Sequence, residues 1–143
     1  MIGAKQGDSR VQAFLDELEL QYDIDSDGDF RVGFQLEDGR TQLAFIRSET
    51  TQFGKFDIRE IFSVAHISDG PLDANLANAL LIYNARVKLG SWRVDRRDDD
   101  TCIVAFAVQI AANTDAKSLY TALRLVIETA DDVERKRDEE DKF

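Results

Sequence analysis

At 143 residues, 43% apolar and 32% charged, the chain has the composition of a soluble globular protein that can build a core without a disulfide or metal staple. A formal net charge of −10 repels phosphate backbones, and the basic cluster Arg93, Arg96 and Arg97 is interleaved and followed by Asp95, Asp98, Asp99 and Asp100, which argues against nucleic-acid binding. One cysteine excludes an internal disulfide, Met1 to Arg10 hold no apolar run of signal-peptide length, and Cys102 to Val108 is too short to span a bilayer, so a cytoplasmic protein with no membrane contact is expected.

Asp8 or Ser9 can cap a first helix, in which Val11, Phe14, Leu15 and Leu18 recur at helical spacing and Asp16, Glu17 and Glu19 take the other face. From Tyr22 the period becomes two. Phe30, Val32, Phe34 and Leu36 alternate with Arg31, Gly33, Gln35 and Glu37, as in a strand with one buried face. Asp38-Gly39 predicts a type I′ hairpin turn, because both of its central residues need positive φ. A partner strand over Thr41 to Arg47 then puts Leu43 and Phe45 on the side of the phenylalanines. Ser48 to Lys55 reads as a polar loop, and the second half of Phe56 to Ile67 as a strand buried on both faces. Pro71 suits the entry to a second helix from about Leu72 to Lys88, which Gly90 stops. Trp92 and Val94 mark a short strand, Asp98 to Asp100 a turn, and Thr101 to Ala111 the most apolar strand. Thr114 or Asp115 caps a last helix carrying Leu119, Leu123, Val126, Ile127 and Ala130, and Asp131 to Phe143 reads as a frayed helix or charged tail.

The order is α-β-β-β-β-α-β-β-α. Short hairpin links and segregated helices make this an α+β fold, with a mostly antiparallel sheet of about five to six strands and three helices. One domain spans residues 1–143, with 1–7 a flexible N-terminus and 134–143 a charged tail. Phe14 to Leu36 and Leu80 to Ile110 share the series helix, short strand, acidic turn, long strand, which suggests a pseudo-repeat.

Asp23, Asp25, Asp27, Gly28 and Asp29 match the start of an EF-hand loop, but the twelfth position is Phe34 where a bidentate carboxylate is needed, and a strand follows instead of a helix. A structural turn explains the residues, with a weak cation site at Asp23, Asp25, Asp27 and Asp29 as the alternative. His66 and Cys102, each unique, share strand faces with Phe62 and Val64 and with Val104 and Phe106, so core positions are expected rather than a nucleophile pair. Asn84 beside Tyr83 fits a buried amide holding a connection, and Asn78 is likewise a poor helix former inside the second helix. No hydrolase elbow, phosphate loop, dinucleotide fingerprint or zinc motif occurs, so neither an enzyme nor a cofactor is expected.

The remaining feature is apolar surplus. Ile103, Ala105 and Ala107 form a second face of the last strand, and alternation adds Ile46, Ile61 and Ile67. Either one helix crosses to bury that face, or it stays open as an interaction surface.

The segment LLIYNARVKLGSWRVDRRDDDTCIVAFAVQI, followed by AKSLYTALRLVIETADDVERKR, resembles the YbjN family, and FLDELELQYDIDSDGDFRVGFQL looks like the same unit again. The family's fold is like that of type III secretion chaperones, its members are described as regulators of sensory transduction, and chaperones of that fold are typically dimers that bind partner proteins. No catalytic set is defined for it, so the resemblance carries over no functional residue. It implies a non-catalytic protein-binding or regulatory module, a homodimer meeting a protein partner through a sheet face or edge strand. The alternative is a small-molecule or metal-sensing domain.

Overall fold

The computed structural model describes residues 6–141. Helix α1 (Ser9–Glu17) leads into strands β1 (Asp23–Ile24), β2 (Phe30–Gln35), β3 (Thr41–Ile46), β4 (Thr51–Phe53) and β5 (Phe56–Ser68). Helix α2 (Ala74–Asn84), strands β6 (Ser91–Arg96) and β7 (Cys102–Ala111) and helix α3 (Ala116–Asp141) follow. The architecture is the expected α+β, with three helices and an antiparallel sheet of seven strands. The added strand is β4, inside the stretch expected to be a polar loop; it pairs with the start of β5, so the whole of Phe56–Ser68 is strand. Residues 1–5 of the expected flexible N-terminus lie outside the described residues, while Gly7 sits against the Phe30 ring. The expected C-terminal tail continues α3 as far as Asp141.

The sheet order is β1-β2-β3-β5-β7-β6, so the two short strands of the pseudo-repeat form opposite edges. Its two acidic turns and the Asp38-Gly39 turn all close in the same way. The N–H of Asp25, Leu36 and Arg97 donates to the carbonyl of Asp29, Arg40 and Thr101, at 2.9, 2.7 and 2.8 Å. Between them lie three residues, the last in the left-handed region: Gly28 (φ 85°), Gly39 (φ 83°) and Asp100 (φ 67°). This is a three-residue loop with one left-handed position, not the two-residue turn expected at Asp38-Gly39.

That single extra residue decides which side chains are buried. A two-residue turn would set Phe34 opposite Leu43, whereas the observed loop sets Phe34 opposite Gln42, Val32 opposite Ala44 and Phe30 opposite Ile46. A one-residue slip reverses a strand's two faces. Leu43 and Phe45 therefore stand on the side away from Phe30, Val32 and Phe34, and Ile46 joins the core. A bulge between Val64 and His66 does the same within β5: Ile61 pairs with Val108 on one face and Ile67 with Ile103 on the other. Strict alternation would have put Ile61 and Ile67 together.

The helices α1 and α3 pack on one side of the sheet. Leu119, Ala122, Leu123, Val126, Ile127 and Ala130 of α3, with Val11 and Leu15 of α1, meet Phe30, Val32, Ile46, Ile61, Val104, Phe106 and Val108. Each large side chain so buried contributes about 1.5–3 kcal/mol of transfer free energy. Asp8 caps α1 by accepting from Arg10 N at 2.9 Å, and Asp115 caps α3 by accepting from Ser118 N at 2.7 Å. The β3–β5 ladder has only two register pairs, and beyond them buried side chains join the strands: Gln42 donates to Val64 O at 3.0 Å and Ser63 Oγ to Leu43 O at 2.6 Å.

Helix α2 stands apart. It is shorter than the expected Leu72 to Lys88, and its single fully buried residue is Leu80. Asn84 holds it to the outer edge of β6, accepting from Trp92 N at 2.6 Å and donating to Trp92 O at 3.0 Å. The sequence reading of Asn84 as an amide holding a connection matches this geometry. Tyr83 and Phe106 pack edge-on against Trp92, with ring centroids 6.2 and 5.2 Å away.

Candidate protein-binding face

Among the described residues no helix covers the other side of the sheet. Register places Phe56, Ile58, Glu60, Phe62, Val64 and Ile67 of β5 there, flanked by Leu43 and Phe45 of β3 and by Ile103, Ala105 and Ala107 of β7. Strand β4 adds Phe53, paired with Phe56 across the Gly54-Lys55 turn. The result is an apolar lane along β5. Phe53 is 74% exposed, Phe56 68% and Ile67 59%. Phe45 and Phe62 stack at 5.1 Å with their planes 13° apart, and the Arg47 guanidinium lies 4.9 Å above Phe62.

One polar cluster interrupts the lane. Glu60 accepts from Arg47 Nε at 3.2 Å, from Gln109 Nε2 at 3.0 Å and from Arg93, so both of its oxygens are committed. Burial, the largest single influence, pushes the Glu60 carboxyl up. The bonds from Gln109 and Arg47 and the charge and hydrogen bond of Arg93 outweigh it, and the group is held below the usual glutamate value. Arg47 also lies 3.5 Å from Asp29, and Arg93 lies 3.4 Å from Asp95. Both Glu60 oxygens are therefore taken, while the Arg47 and Arg93 guanidiniums stay partly exposed, with Asp95 exposed beside Arg93.

The six residues expected to form the partner surface divide. Ile67 and Ile103 stand on the open face with accessible side chains. Ala105 and Ala107 belong to the same face but form its floor, opposite the larger Val64, Arg93 and Phe62. Ile46 and Ile61 are corrected: both have no exposed surface and pack under the helices, because the hairpin loop and the bulge shift their strands. Sequence reading missed Phe45, Phe62, Val64, Phe53, Phe56 and the Glu60 cluster. The sequence pointed the other way at Gln42, whose polar side chain suits the outside if Leu43 faces the core, whereas Gln42 is buried beside Ser63.

The acidic turn is held by its own hydrogen bonds and one ion pair. Asp25 Oδ1 accepts from Asp27 N at 2.9 Å and Asp29 N at 3.0 Å, Asp29 Oδ1 accepts from Ser48 N at 3.0 Å, and Asp23 pairs with Arg31 at 2.6 Å. Carboxylate oxygens of Asp25, Asp27 and Asp29 lie within 4.8 Å of one another, yet Asp25 and Asp29 are already engaged by backbone amides. Cys102 is buried, and His66 lies opposite Val104 on the helix-covered side. Among the described residues no helix is long and apolar enough to cross a membrane.

A second apolar surface lies on α2. The helix, ANLANALLIYN, contains no charged residue. Leu81 is 66% exposed, Ile82 57% and Tyr83 40%. Exposed large apolar side chains side by side on a charge-free helix mark a contact surface.

No family profile matches the sequence, and no curated protein does. Among solved structures the chain is similar to the Yersinia pestis type III secretion chaperone SycH, crystallised in complex with a stable fragment of YscM2. The likeness covers 87% of this chain and 97% of that one at 19% identity, with a TM-score of 0.54. At that identity it establishes the fold, and the chain folds as a type III secretion chaperone does.

Proposed function

We propose that this chain is a non-catalytic, chaperone-like module of the cytoplasm that binds a partner protein on its open sheet face and works as a homodimer. The observation that carries the reading is the uncovered lane from Phe53 and Phe56 to Ile67, apolar on both sides of the Glu60 cluster, since exposed apolar surface of this extent marks an interaction surface. The similar chaperone SycH was crystallised with a protein fragment, which supports a protein partner here. The pattern from Leu80 to Asn113 that resembles the YbjN family belongs to the same reading.

Helix α2 supports self-association. Two copies each carrying −10 repel one another, and the charge-free helix is where they approach at least electrostatic cost. Light scattering on the full chain tests this: a dimer is expected, with Leu81→Asp/Ile82→Asp yielding monomer at unchanged secondary structure. A chain monomeric before substitution refutes it. For the sheet face, Ile67→Asp is expected to abolish retention of a purified binding partner while leaving the dimer intact. Partner retention indifferent to Ile67→Asp counts against the face.

A further inference from the structure

We infer that the open face receives an amphipathic helix of its partner, with a hydrogen-bond acceptor in the middle of its apolar stripe; this rests on the docking reading above. Strands β3, β5 and β7 lie inside the sheet with a neighbour on both sides. Where β3 and β5 part, beyond the pairs Phe45 with Phe62 and Ile46 with Ile61, the Gln42 and Ser63 side chains take Val64 O and Leu43 O, so the face offers no row of free backbone groups. An extended segment laid across them would find no backbone partners and would leave its own peptide groups unpaired where water is excluded. A helix satisfies its backbone internally and brings only side chains. The opposite face shows the same solution, with α3 packed across these three strands through an apolar stripe of Leu119, Leu123, Val126, Ile127 and Ala130. A second helix would complete a three-layer arrangement.

The polar cluster sets the chemistry at the midpoint. Both oxygens of Glu60 are taken by Arg47, Arg93 and Gln109, and both guanidiniums remain partly exposed. An incoming side chain there meets donors, so a carboxylate or amide oxygen is favoured and a lysine or arginine is not. The lane from Phe56 to Ile67 is on the order of 35 Å long, which a helix of roughly 20 to 25 residues covers.

A displayed library of random 24-residue peptides, selected against the full chain, tests this. Each selected peptide is re-measured against Ile67→Asp and against Phe53→Ser/Phe56→Ser, all three positions being exposed enough for the fold to survive, with Trp92 emission as the check. Binders are expected to weaken about tenfold or more on Ile67→Asp, to gain helical circular dichroism on binding, and to carry apolar residues at i, i+3, i+4 and i+7 with Asp, Glu, Asn or Gln in the central turn. Binders sensitive to Ile67→Asp whose apolar residues alternate at period two, or whose central turn favours Lys or Arg, overturn the inference and leave the docking face standing. Binders indifferent to both variants, or no binders at all, overturn the two together.

Discussion

Replacing Asp8 by Asn isolates one buried charge pair. The Arg59 side chain is only 2% exposed; it donates to Asp8 Oδ2 at 2.7 Å, to Arg47 O at 2.6 Å and to Ser48 O at 3.1 Å. Asn still accepts from Arg10 N, so the helix cap survives, while the charge and the hydrogen bond that Oδ2 accepts from Arg59 are both lost. What remains is a guanidinium cut off from water with two carbonyls as partners. Breaking such a pair costs about 3–5 kcal/mol, and the two carbonyls with a 17% exposed Asp8 put this case near the lower figure. Arg10, also paired with Asp8, is largely exposed and adds little. Urea unfolding followed by Trp92 emission measures the loss. A change under about 1 kcal/mol would show the pair to be solvated like a surface salt bridge and refute the reasoning. The double variant Asp8→Asn/Arg59→Met should recover part of the loss. The pH dependence has a definite sign. Burial raises the Asp8 carboxyl, but hydrogen bonds from Arg10 and Arg59 hold it well below its ordinary 3.8. The pair's contribution is therefore complete above about pH 4 and fades as pH falls toward the depressed folded value, a slope that Asp8→Asn removes.

Gly90→Ala should lower stability by about 2–4 kcal/mol, because a Cβ there would lie 2.6 Å from the Phe106 ring and 3.0 Å from Ala107 O at a φ of +85°; an unchanged melting temperature would mean that the ring moves aside. Asp100→Gly should stabilise by about 0.5–1 kcal/mol in urea, since it relieves a left-handed φ of 67° and gives up only an exposed pair with Arg96. A destabilised variant would show that pair to matter more than the backbone. Asn84→Ala leaves Trp92 N–H and C=O without their partners and should cost about 1–3 kcal/mol. It should also speed amide exchange at Trp92, and unaltered exchange would mean that α2 is held by other contacts.

Local chemistry was legible in the sequence. Asp8 and Asp115 cap the helices they were expected to cap, the three helices and their order follow from apolar spacing, and the acidic turns reverse the chain where Asp and Gly cluster. These features depend on residues a few positions apart. The short β4 was not legible, because Thr51–Phe53 becomes a strand only by pairing with β5. Nor was the composition of the open face. A loop of three residues at Asp38-Gly39 and one extra residue at Ala65 each move a strand's alternation by one step, exchanging Ile46 for Phe45 and separating Ile61 from Ile67. Periodicity says that a strand has two faces and is silent on which faces inward. The sequence alone therefore determined every element but β4 and their order, along with an excess of apolar strand surface. Only the tertiary structure decided which side chains that excess consists of, because register is settled by pairing and packing between segments far apart in the chain.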